Sequence, residues 1–160
     1  MAGFMRHHRR ATVAVLFLAV TALALAAACG KEKLEPGNPR RGESFALQKC
    51  RFCHYIDGNG GMIAPPMEKS IALAGQVVRE YDKRVEELKT RFAKAYAAEQ
   101  VSIDGILAEK DLVKRYERWL GAYLKDTKFD NPMTKMGNVL MTDQQRADVV
   151  AWLMTRKPAL

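Results

Sequence analysis

The stretch KCRFCHY, Lys49 to Tyr55, sets two cysteines three apart and follows the second at once with a histidine. Three kinds of site use such a pair. A thioredoxin-like redox pair wants a strand before its first cysteine within a βαβ unit. Here the pair follows RRGESFALQK, residues 40–49, a helix-like run with no β-branched stretch. A structural zinc site needs a second pair of Cys or His ligands. The only other histidines are His7 and His8, at the far amino end. The third use is c-type haem attachment, whose signature is Cys-x-x-Cys-His. The helical spacing of Cys50 and Cys53 lets each thiol add to a vinyl group at the same edge of one porphyrin, and it carries the imidazole of His54 under the ring, where it can ligate iron. The motif therefore predicts one covalent haem c with its iron, attached through Cys50 and Cys53.

Upstream, MAGFMRHHRR holds three arginines and no acid, and an uncharged, mainly apolar run follows from Ala11 to Ala28. That is the build of a secretory signal. The stretch Leu25-Ala26-Ala27-Ala28-Cys29-Gly30 resembles a bacterial lipobox, with Ala26 where leucine is favoured and Cys29 as the lipidated first mature residue. Cleavage to a free domain and retention as a membrane helix are the alternatives. All three export the domain, to the periplasmic side of a cell envelope, and the expected state is a membrane-anchored lipoprotein. The expected organisation is a signal over residues 1–28, a polar tether over 29–40 and one helical domain over 41–160, with an insertion at about 75–110.

The chain has 160 residues, 26 Lys and Arg against 18 Asp and Glu, with apolar residues at 48% and charged at 28%. This is a globular composition sized for one small core beside the signal. Without residues 1–28 the balance is 23 basic to 18 acidic, a modest excess. No run of Lys or Arg interleaved with aromatics marks a nucleic-acid surface. A docking face for an acidic protein partner fits better.

Beyond the motif, the chain resembles the class I cytochrome c family over residues 38–67 and roughly 108–157. PRRGESFALQKCRFCH is similar to the family's first helix leading into its haem motif, and GMIAPPM, Gly60 to Met67, to the loop that steadies the proximal histidine, with Pro65 in place and Ala64 for the usual glycine. AYLKDTKFDNPMTKM, Ala122 to Met136, is similar to the segment that supplies the second axial ligand. The resemblance implies an all-α, cytochrome c-like domain around one haem, with His54 and Met136 as axial ligands. Met133, Met141, Met62 and Met67 are the rivals of Met136. It also implies that the last helix crosses the first, Trp152 resting against Gly42 and Phe45.

Thr142 followed by Gln145 reads as a capping box, with Val149, Val150, Trp152 and Leu153 as the apolar face of that last helix and Pro158 near its end. The spacing of Val78, Tyr81, Val85, Leu88, Phe92 and Ala95 predicts one amphipathic helix over about 77–98. Past VSIDG, Leu112, Val113, Tyr116, Trp119, Leu120 and Tyr123 predict a second, and the two are expected to pack as a hairpin beside the haem domain.

With His54 and Met136 on the iron, no position remains for a substrate. The implied function is a one-electron carrier between redox proteins rather than an enzyme, taking no small-molecule substrate. Lys49, Arg51, Lys125, Lys128 and Lys135 are placed to ring the haem edge. The alternatives are a haem-based sensor or peroxidase-like enzyme with an open iron, or a haem-bearing subunit of a larger oxidoreductase complex.

Overall fold

The computed structural model describes residues 33–158 and residue 160. The expected signal, Cys29 as the expected site of lipid attachment, and the start of the expected tether lie outside them. Among the described residues no helix is long and apolar enough to cross a membrane.

Six α-helices carry the described fold: α1 Pro39–Lys49, α2 Met67–Arg79, α3 Tyr81–Arg91, α4 Ala93–Ala108, α5 Leu112–Lys125 and α6 Asp143–Thr155. A 3₁₀ turn, Cys50–Phe52, continues α1, and two short antiparallel strands follow, β1 Tyr55–Ile56 and β2 Asn59–Gly60. The described fold is all-α, as the resemblance implied.

The helix α1 opens inside the stretch read as a tether. Asn38 caps it by accepting from the backbone N–H groups of Arg40 and Arg41, and Pro39 takes the first turn, where a missing N–H costs nothing. The crossing of α1 over α6 is built on Gly42. A Cβ there would run into the Asp148 carbonyl and come within 2.9 Å of the Trp152 Cβ, so only glycine lets the two backbones approach this closely. Trp152 is buried at that crossing, as the resemblance implied, and Phe45 packs against the same core.

A buried carboxylate pins the crossing. Asp148 accepts from Asn38 N (2.7 Å), from Arg41 Nε (2.8 Å) and Nη2 (3.1 Å), and from Gln144 Nε2 (3.1 Å). Glu35 N also donates to Gln144 Oε1, so the residues just before α1 are tied to α6. The predicted capping box forms: Thr142 Oγ1 accepts from Gln145 N at 3.1 Å, and Gln145 Oε1 from Thr142 N at 2.8 Å.

The insertion differs from its expectation. In place of one helix over 77–98 the chain makes α2, α3 and α4, with corners at Glu80 (φ −101°, ψ 20°) and Phe92 (φ −135°, ψ 46°). Neither corner holds a glycine or proline, the usual sequence marks of a break. Each piece buries its own part of the apolar stripe: Val78 on α2, then Tyr81, Val85 and Leu88 on α3. The spacing survives the bend because Val78, Tyr81, Val85, Leu88 and Phe92 still reach the core, and this packing overrides local propensity. VSIDG, read as a connection, lies within α4 and buries Ile103. Lys89 on α3 lies over the Tyr96 ring of α4 at 5.4 Å, bridging the corner at Phe92.

The start of α5 is fixed by Asp111, whose carboxylate accepts from Val113 N and Lys114 N. Arg115 turns back to donate to the carbonyls of Glu109 (2.8 Å) and Leu107 (3.3 Å), satisfying groups at the end of α4. Tyr116, Trp119 and Leu120 of the predicted stripe are buried, with Leu112 and Val113 at its exposed end.

Candidate functional site

Two clusters hold the residues singled out by sequence. The first contains Cys50, Cys53, His54 and Pro65. Because α1 runs on into the 3₁₀ turn, the N–H groups of Cys53 and His54 both reach the Cys50 carbonyl, at 3.1 and 2.9 Å. This winding holds the two thiols and the imidazole at helical spacing. Both cysteines are free, Cys50 buried and Cys53 exposed. Burial pushes the Cys50 thiol above its ordinary value, and the neighbouring Cys53 adds to it.

The loop after the motif folds back over it. Asp57 and Gly58, at φ 47° and 84°, turn the chain between β1 and β2. Gly60, at φ 128°, passes so close that a Cβ would strike the His54 carbonyl. Gly61 N then donates to the Arg51 carbonyl (2.8 Å) and Ala64 N to that of Cys53 (3.0 Å). These contacts deliver Pro65 to His54. The imidazole is 9% exposed, and its Nδ1 lies 2.7 Å from the Pro65 carbonyl oxygen. A carbonyl only accepts, so Nδ1 carries the proton and Nε2 keeps its lone pair. Ser70 Oγ, 3.4 Å from the same Nδ1, donates to the Pro66 carbonyl.

The second cluster is built by α5 and the loop after it. Tyr123 OH donates to Met136 Sδ at 3.4 Å, and Thr127 Oγ1 to the Met136 carbonyl at 2.9 Å. Thr127 N donates to Asn138 Oδ1 at 2.9 Å, clamping the chain on the other side of Met136. Met136 itself is half-buried. Its rivals are placed otherwise: Met133 and Met62 are 72% and 91% exposed, Met67 is core of α2, and Met141 packs partly against the core. Lys49, Arg51, Lys125, Lys128 and Lys135 are all exposed.

Sequence reasoning missed the polar core beside this second cluster. Trp119, stacked on Tyr123 with ring centroids 4.9 Å apart, donates from Nε1 to Asp130 Oδ2 at 2.7 Å, and Arg84 of α3 reaches the same oxygen at 3.6 Å. Nothing in the spacing of Arg84 or Asp130 marks them, because the two meet only after α3 packs on the loop. Nor does any local signal mark Arg156, which ties α6 to the turn at Asp57.

A family model, described as Cytochrome c, matches residues 39–157. No curated protein and no solved structure shows a significant match to the chain. Family members bind haem covalently as haem c with its iron, and they generally carry electrons. The donor set here suits that group: two free thiols at helical spacing, an imidazole whose Nε2 keeps its lone pair, and a thioether held by a phenol. With a family match over most of its length, the chain belongs to the cytochrome c family and is a haem c electron-transfer protein.

Proposed function

We propose that the protein is a monohaem one-electron carrier of the bacterial cell envelope, with Cys50 and Cys53 as the thioether attachments and His54 and Met136 as the axial ligands of the iron. The observation that carries this reading is the 2.7 Å contact from His54 Nδ1 to the Pro65 carbonyl. It aims the ring and fixes its tautomer. Met136 is supported by the Tyr123 phenol on its sulfur.

The bound haem supplies a reversible ferric/ferrous couple. His54 and Met136 would hold the iron between them and leave no seat on it for a substrate, so the group would serve outer-sphere electron transfer. The thioether of Met136, soft and neutral, favours the ferrous state relative to a second histidine. Lys49, Arg51, Lys125, Lys128 and Lys135 steer and orient an acidic redox partner. Cys29 carries the lipid that keeps the carrier at the membrane, with residues 1–28 removed.

The optical spectrum of the haem-loaded protein tests the ligands. A weak ferric band near the red edge, lost in Met136→Ala, is the expected result. A wild-type spectrum without that band, or ferrous protein that binds carbon monoxide, points instead to an open iron and a sensor or peroxidase-like role. Pigment that leaves with acidic organic solvent overturns the thioether attachment. Cys29→Ala is expected to release the protein from the membrane fraction.

A further inference from the structure

We propose that Asp130 takes up a proton as the protein accepts its electron, and so sets the potential at which the carrier works; this rests on the axial role given above to Met136.

Asp130 is 2% exposed, on the loop that leads from α5 to Met136. Its Oδ2 accepts from the Trp119 indole at 2.7 Å and faces Arg84 Nε at 3.6 Å. Its Oδ1 has no hydrogen-bond partner, and neither has the buried Tyr81 hydroxyl nearby. Among the described residues the groups facing it are Arg84 and Tyr81 from α3 and Trp119 and Tyr123 from α5. A carboxylate so enclosed, with one oxygen unsolvated, is costly to keep charged. Burial accordingly pushes its proton affinity above the ordinary carboxylate range, against the pull of Trp119 and Arg84.

The site is connected to the proposed iron ligand by short contacts. Trp119 stacks on Tyr123 at 4.9 Å, and the Tyr123 hydroxyl donates to Met136 Sδ at 3.4 Å. Charges separated by a few packed rings in a dry interior are felt far more strongly than in water. When one electron arrives from the redox partner and the iron passes from ferric to ferrous, one positive charge is lost. Asp130 then binds one proton from solvent, forming a carboxyl O–H bond, and the net charge of the interior is unchanged. Arg84 is the countercharge that limits the effect. The inserted helix α3 thereby acquires a part in electron transfer, because it supplies that arginine.

The test is the midpoint potential of the haem-loaded protein against pH, from about pH 4 to pH 8, above the ordinary carboxylate range. Wild type is expected to fall in potential as pH rises through part of this window, with a limiting slope of about 59 mV per tenfold change in proton activity. Asp130→Asn is expected to be flat, and a carboxylic acid C=O band in the redox-difference infrared spectrum to vanish with it. Arg84→Gln, which removes the countercharge, is expected to move the window to higher pH. A flat wild-type profile with the sulfur-to-iron band intact overturns the proposal alone. So does a slope that survives in Asp130→Asn, which would belong to the porphyrin's own carboxylates. If Asp130→Asn does not fold, an unmoved window in Arg84→Gln overturns it. A protein lacking the sulfur-to-iron band overturns the Met136 reading, and this proposal with it.

Discussion

Arg156 donates two N–H bonds to the carboxylate of Asp57, at 2.9 and 2.6 Å, across 99 residues of chain. The same guanidinium lies over the Trp152 ring at 4.8 Å and within 4 Å of Glu43 and Glu68. It joins the end of α6 to the turn that follows His54. The hydrogen bonds from Arg156 hold the Asp57 carboxyl below the ordinary range. Both partners are partly solvated, so screening limits the pair to about 1 kcal/mol, with the stacking on Trp152 adding a similar amount. Arg156→Ala is expected to cost about 1–2 kcal/mol in urea unfolding. Arg156→Lys should recover little of this, because an ammonium makes neither the two-pronged contact nor the flat stack.

Gly42→Ala sets two effects against each other. Alanine is about 1 kcal/mol the better helix former. Its Cβ would nevertheless enter the Asp148 carbonyl and crowd Trp152, forcing α1 off α6. Overpacking of this kind costs about 1–3 kcal/mol and wins, because the obstacle is backbone. The denaturation midpoint should fall; a rise would mean that the crossing yields easily.

Asp148 and Asp130 should give acid stability profiles of opposite slope. Loss of hydration raises the Asp148 carboxyl, but hydrogen bonds from Arg41, the Asn38 backbone and Gln144 outweigh it and hold it below its ordinary 3.8. Its stabilisation is therefore complete above the unfolded value and is lost as pH falls through the folded one. Asp130 is raised, so its contribution is complete below the unfolded value and is lost as pH rises through the folded one. Urea midpoints measured against pH should show Asp148→Asn less sensitive to acid than wild type, at a cost of about 2 kcal/mol near neutrality for the weakened donor cluster. Asp130→Asn should remove the decline with rising pH.

Tyr123→Phe removes the phenol from Met136 Sδ and its hydrogen bond with Thr134, while the ring still stacks on Trp119. A donor on the sulfur withdraws density from the thioether, so with Met136 on the iron as proposed, its loss would make Met136 a stronger donor to ferric iron. The reduction potential is expected to fall while the unfolding midpoint moves by less than about 1 kcal/mol. An unchanged potential in potentiometric titration would disconnect Tyr123 from the iron.

What could be read from the sequence alone was local. Cys50, Cys53 and His54 are held by one winding of backbone, so their spacing already states their geometry. Thr142 and Gln145 cap one helix end across three residues, and the core face of α6 repeats at helical period. Gly42 and Trp152 came from the family resemblance, and the crossing shows why: the backbone contact admits no side chain. Tertiary structure decided the rest. The stripe from Val78 to Ala95 reads the same whether the helix is straight or bent, and only packing places the corners at Glu80 and Phe92. Arg84 with Asp130, and Arg156 with Asp57, are ordinary surface-type charges in sequence. They become partners because distant segments are folded against each other, and charge pairing over such separations leaves no periodic trace in the chain.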